Sequence, residues 1–145
     1  MSTMGFELAH PDAATNIRHI PEAATQSFKA GDVVYLVSGL VTVAAADSSI
    51  YGVALKDATT ATTGVIPVVV IDDTQDWIST VGTTSAVTNK GVAYGLTIST
   101  KGSMCVDLTD TTTTSVRVVD LHPADGAKAL GRVIVRFLNA VLQVA

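Results

Sequence analysis

The nearest approach to a phosphate-binding loop in this chain is Gly126-Ala127-Lys128-Ala129-Leu130-Gly131-Arg132-Val133, which has two glycines at the spacing such a loop needs. Arg132 stands where a lysine would reach the phosphates, and Val133 where a hydroxyl would hold magnesium. The order of elements is reversed as well. The segment reads as a helix running into a strand, whereas an anion site needs a strand running into a helix N-terminus. A helix stop at Gly131 ahead of a strand accounts for the same residues, so no nucleotide is expected here.

Carboxylates gather at Asp72, Asp73 and Asp76, and again at Asp107 and Asp110. Paired acids can hold a hard cation, or act as acid and base when burial raises one pKa. Neither group has the spacing or the central glycine of a calcium loop. Asp72-Asp73-Thr74 follows directly on an apolar run and reads as turn chemistry, with Asp capping backbone two residues on. His10, His19 and His122 share no metal-ligand spacing with one another or with Cys105, so zinc is not expected. Cys105 lies between Met104 and Val106 with no neighbouring base, which fits a packed thiol better than a reactive one. No serine sits in a Gly-x-Ser-x-Gly elbow. No catalytic set, metal or cofactor is expected, and an enzyme is the least favoured class.

Composition narrows the class further. The chain has 145 residues, 48% hydrophobic and 15% charged, which describes one folded domain and not a disordered tail. A net charge of -4 with no run of Lys or Arg argues against nucleic acid, whose phosphates call for a basic stripe. A lone cysteine forms no internal disulfide. The opening residues carry no basic region and are broken by Glu7 and His10, so no signal peptide is expected. The apolar stretches 65–71 and 133–145 are interrupted by Pro67, Arg136 and Asn139 and fall short of the ~20 residues of a spanning helix, so no membrane is expected either. Mean hydropathy is nevertheless +0.43, high for a chain with so few charges, and implies apolar surface meant for a partner.

The elements that must position these residues divide the chain in two. Residues 1–30 hold Pro11, Pro21, His10 and His19 with no period of 2 or 3.6, and read as an extended arm. Its apolar side chains Phe6, Leu8, Ile17 and Ile20 have no partner within the arm and are expected to meet a binding partner, the arm being mobile until then. Residues 31–145 form the body. Short β-rich runs recur there about every 10 residues, the pattern of an all-β domain. Strands are expected at 32–37, 40–44, 50–55, 65–71, 76–80, 91–98, 104–108, 115–120, 132–138 and 140–144, numerous enough to imply a closed or nearly closed sheet. Ser38-Gly39 and the segment 138–140 read as tight turns. One short helix is expected at 122–130, with Pro123 at its first position and Gly131 at its end. In 132–137, Val133, Val135 and Phe137 point one way and Arg132 and Arg136 the other. The run 33–37 is apolar on both faces, which suits either a strand buried inside the domain or one whose outer face meets another chain. Trp77 and Ile78 point to opposite faces, one into the core and the other free to anchor an interface. The Thr-rich segments 59–63, 83–84 and 111–114 read as polar edges and connections.

The runs Phe28-Lys29-Ala30-Gly31-Asp32-Val33-Val34, Gly39-Leu40-Val41-Thr42-Val43 and Ile50-Tyr51-Gly52-Val53-Ala54 resemble the opening of tailed-phage capsid decoration (cement) proteins, the lambda-type head decoration families among them. Gly131-Arg132-Val133-Ile134-Val135-Arg136-Phe137 resembles their closing strand, and the likeness covers roughly 28–71 and 131–145. The resemblance implies a small β-barrel-like or β-tulip domain with an extended N-terminal arm. It implies a homotrimer on the outer surface of an icosahedral virion capsid, made in the host cytoplasm and partnered by the major capsid protein. Together with the hydropathy, it points to Tyr35, Val33 and Val37 as trimer-interface residues. Two other classes compete. A tail-tube or fibre-associated phage β-protein would share the composition but form rings or rods. A carbohydrate-binding β-sandwich leans on exposed aromatics, and this chain has one Trp, three Tyr and three Phe.

Overall fold

The computed structural model describes residues 5–9, 16–44, 49–59, 64–98 and 104–143. His10, Pro11, the threonines at 60, 62 and 63, and the end of the expected last strand lie outside them. Among the described residues the chain is all-β, with eleven strands in two antiparallel sheets. The six-stranded sheet has the order β1 (Glu7–Leu8), β7 (Trp77–Thr80), β11 (Arg132–Phe137), β10 (Val116–Leu121), β8 (Ala93–Ile98), β9 (Met104–Asp107). The five-stranded sheet has the order β2 (Ile17–Pro21), β6 (Val65–Val70), β5 (Gly52–Ala54), β3 (Val33–Val37), β4 (Leu40–Val43).

Neither sheet closes into a barrel. Each curls until a single parallel bridge spans it, Val81 at the end of β7 with Val106 of β9 in the larger sheet and Glu22 after β2 with Val41 of β4 in the smaller, and a single bridge is not a ladder. Of the expected closed or nearly closed sheet, full closure is corrected: the strands form two curled sheets. Alternation holds where one face is buried. Val133, Val135 and Phe137 are buried along β11 while Arg136 is exposed. Ser38 and Gly39 take φ of 52° and 79°, the left-handed pair a two-residue hairpin turn requires.

The apolar side chains form two clusters. One fills the space between the sheets and includes Phe6, Val33, Ile50, Val53, Trp77, Val106, Val133 and Phe137. The other lies on the opposite side of the small sheet, where Phe28 covers Val34, Val41, Ala54, Ile66 and Val68. The doubly apolar start of β3 follows from this: Val33 belongs to the first cluster and Val34 to the second. Val33 is fully buried inside the domain and is not available to a trimer interface, which corrects that expectation. Trp77 is the core member of its pair, 1% exposed and edge-on to Phe137.

The N-terminal segment is not a detached arm. Leu8 pairs with Trp77 and Glu7 with Ile78, the Phe6 N–H donates to the Gly31 carbonyl at 2.7 Å, and the Phe6 ring lies 5.3 Å from Phe137. Residues Ile17 to Pro21 pair in register with Val69 to Val65. The sequence hides this because a two-residue strand and a proline-ended one show no period, and their partners lie far along the chain. Segment 122–130 is likewise no helix. Asp125 and Gly126 N–H both donate to the His122 carbonyl, and Gly126 and Leu130 then enter the left-handed region at φ of 59° and 52°. Residues 139–141 form a single 3-10 turn in place of the expected hairpin and final strand.

Candidate functional site

The Gly31-Asp32 turn is a joint between three parts of the chain. Gly31, at φ 94°, accepts from Phe6 N–H and donates to the Ala54 carbonyl at 2.8 Å. The Asp32 carboxylate is buried; Oδ2 accepts from Lys29 N–H at 3.0 Å and Oδ1 from Met104 N–H, at the start of β9 in the other sheet, at 3.1 Å. Burial pushes its carboxyl above the usual range, against the pull of the Lys29 and Met104 N–H groups. Asp57 completes the turn by accepting from Ala30 N–H at 2.9 Å. The joint clamps the sheets together.

The acidic groups of the sequence resolve into turns. Asp72 Oδ1 accepts from the N–H and hydroxyl of Thr74, Asp107 Oδ1 from those of Thr109, and Asp110 Oδ1 from those of Thr112 and from Thr113 N–H. The expected capping at Asp72 is therefore one case of a repeated Asp-x-Thr turn. Asp76 instead meets Arg136, whose Nε donates at 2.6 Å. Among the described residues no three of His, Cys, Asp and Glu gather where they could hold a metal. Cys105 is buried, which pushes its thiol up to about 11, with the Asp107 charge adding to the effect. Such a thiol is a poor nucleophile.

In the glycine loop at 126–132, amides that a phosphate cradle would aim at its anion are taken by the protein's own groups. Lys128 N–H donates to Ser85 Oγ, Leu130 N–H to the Thr83 carbonyl and Gly131 N–H to the Lys128 carbonyl. Arg132 is held by Asp125 through Nε at 2.9 Å, Nη2 at 3.0 Å and the backbone N–H at 2.8 Å. This pairing with Arg132, side chain first and backbone second, holds the Asp125 carboxyl far below the usual carboxylate range. A depressed pKa adds stability that is complete above the unfolded value, about 4, and is lost as pH falls below it. Asp125→Asn is therefore expected to be less stable at neutral pH, and to lose less stability on acidification than the unaltered chain. Urea melts at about pH 7 and pH 3 check this; parallel losses in both proteins would refute it.

Of the residues expected to contact a partner, Phe6 is core and Leu8 packs on it, so neither is free, which corrects both. Ile17 is 45% exposed, and Ile20 is half-buried on the second cluster. Together with Asn16, Arg18, His19, Tyr51 and Val70 they line an open groove of about 560 Å³ along the β2 margin. Tyr35 is half-buried against the core and Val37 is 44% exposed, so the two remain together at the outer end of β3. His122 Nδ1 accepts from Ala124 N–H at 3.2 Å and serves its own turn.

Sequence reasoning missed three polar side chains that the fold depends on. Glu22 is fully buried, and its carboxylate accepts from the N–H and hydroxyl of Thr59. Gln26 and Gln143 bond to strand backbone at Val43 and Leu36. None has a local signature, because each partner lies well away in sequence. The chain matches no protein-family model and no curated protein.

Proposed function

We propose that this chain is a structural virion protein that binds the outside of an assembled icosahedral phage head as a trimer and stabilises it. The observation that carries the reading is the spatial union of the two phage-like segments, 28–71 and 131–145. The tail beyond β11 docks on the first segment: Ile50 N–H donates to the Val141 carbonyl and Gln143 N–H to the Ile50 carbonyl, both at 2.7 Å. The likeness thus falls on four strands of the small sheet with their apolar cluster, on β11 in the larger sheet, and on the tail that ties β11 to Ile50. Exposed apolar side chains at Ile17, Val37 and Val65, on a chain of mean hydropathy +0.43, support a protein that works against a partner. Val37 with Tyr35 is the candidate trimer contact, and the β2 groove with Ile17 and Ile20 the candidate contact with the major capsid protein. A protein that binds only the assembled shell stabilises it by mass action.

Light scattering on the purified chain is expected to give a trimer. Co-sedimentation with expanded, undecorated heads of the virus that encodes it should give saturable binding and heads that melt at higher temperature. A monomer that leaves heads unprotected would refute the reading. Rings or rods of the free chain in electron micrographs would favour the tail-tube alternative.

A further inference from the structure

We propose that the outer margin of β2 is a strand-addition site for an extended segment that carries carboxylates. In the function proposed above that segment belongs to the head shell, and its source rests on that reading. The register shows which groups the margin offers. Val70 N–H donates to the Asn16 carbonyl and Glu22 N–H to the Gly64 carbonyl, so Asn16, Arg18, Ile20 and Glu22 bond inward to β6. Leu55 N–H on the Pro67 carbonyl fixes the same phase from the far side of β6. Ile17 and His19 therefore turn both N–H and C=O outward, and Pro21 its C=O. Among the described residues nothing pairs with these groups. The margin closes only beyond Pro21, where Glu22 bridges to Val41.

Charge selects the occupant. On the larger sheet and its loops Lys90, Lys128, Arg132 and Arg136 each have a carboxylate partner. Around the small sheet Arg18, Lys29 and Lys56 are exposed and make no ion pair among the described residues. The described acids there face the fold: Glu22 and Asp32 are buried, and Asp57 accepts from Ala30 N–H. A chain of net charge -4 thus shows unbalanced positive charge on this sheet. Arg18 and Ile20 stand opposite Val68 and Ile66, on the face of the second cluster, and line the groove. A strand laid along the margin would set one side chain beside Arg18 and the next on that face beside Ile20. A carboxylate followed two residues later by an apolar group fits that pair. The same charge turns away a second copy's β2, which would bring another Arg18 to the same short margin.

Two variants read the margin without touching the core. His19→Pro removes one outward N–H and no bond to β6, and is expected to weaken binding to expanded, undecorated heads at least about five-fold, as for one lost hydrogen bond. Arg18→Glu is expected to weaken it at least about ten-fold, with most of the loss gone at about 1 M salt, where exposed charges are screened. Lys90→Glu, the same reversal on the larger sheet, should bind as the unaltered chain does. Short blocked peptides of alternating Glu and Val, or Lys and Val, probe the margin without heads. The Glu peptide is expected to slow exchange of the Ile17 and His19 amides, and the Lys peptide to leave it unchanged. Head binding that neither variant weakens, an equal response to the two peptides, or Ile17 and His19 amides already as slow as those of β6 in the free chain would overturn the proposal. An unaltered chain that does not bind heads, but whose two amides the Glu peptide still protects, would instead remove the head-binding reading and leave the strand-addition site standing.

Discussion

Phe6→Ala is expected to destabilise the chain by about 3–5 kcal/mol, the range for truncating a buried aromatic. Phe6 is 4% exposed, and its ring lies 5.3 Å from Phe137, which in turn meets Trp77 edge-on at 6.1 Å. The three rings come from the N-terminal segment, β11 and β7, so the gap left by alanine sits where the chain's start is tied to the centre of the larger sheet. A domain of this kind has roughly 5–15 kcal/mol in total, so the variant is expected to be partly unfolded at 37 °C. Ile17→Ala, on an exposed strand margin, should cost under about 1 kcal/mol. Deleting residues 2–20 removes Phe6, β1 and nearly all of β2, and should leave no folded protein. Urea melts of the two point variants decide the matter. Equal, small losses at both positions would mean that residues 5–9 are an appendage after all.

What the sequence revealed was local. The Ser38-Gly39 turn, the alternation along β11 and the capping at Asp72 each depend on residues within a few positions of one another, and each was legible. The strands of the body were legible for the same reason, since period and turn residues are short-range signals. Contacts that join distant segments left no trace. Nothing near Phe6 announces Phe137, nothing near Asp32 announces Met104, and Gln143 looks like any polar residue near a chain end until Leu36 is seen beside it. The expected helix at 122–130 failed for a related reason. Pro123 and Gly131 are sound local cues, but Arg132 claims the Asp125 side chain and Ser85 takes the Lys128 amide, and those tertiary bonds hold the segment as turns. Of the residues expected to meet a partner, Ile17, Ile20, Tyr35 and Val37 are exposed or half-buried, while Phe6, Leu8 and Val33 went into or against the core because hydrophobicity alone does not say which face it will find.

Gly52→Ala is expected to be as damaging as the loss of Phe6, through crowding and not through a cavity. Gly52 begins β5, the three-residue strand that joins β3 to β6 at the middle of the small sheet, where it pairs with Val34 on one side and Val70 on the other. A Cβ there would lie 3.0 Å from the Val69 carbonyl carbon, closer still to its oxygen, and 2.5 Å from Val68 Cγ1. The valine methyl group can rotate away, but the Val69 carbonyl is backbone fixed by the β5–β6 ladder. Relief therefore requires the two strands to part. Overpacking usually costs about 1–3 kcal/mol, and a clash with ladder backbone belongs at or above the top of that range. Gly39→Ala is the control: a Cβ there meets nothing within 4 Å, so only the strain of its φ of 79° remains, about 1–2 kcal/mol. A lower urea midpoint for the Gly52 variant than for the Gly39 variant is the expected order. The reverse order would mean that β5 and β6 can separate cheaply. In that case the small sheet would not be the rigid platform that the proposed head-binding role needs.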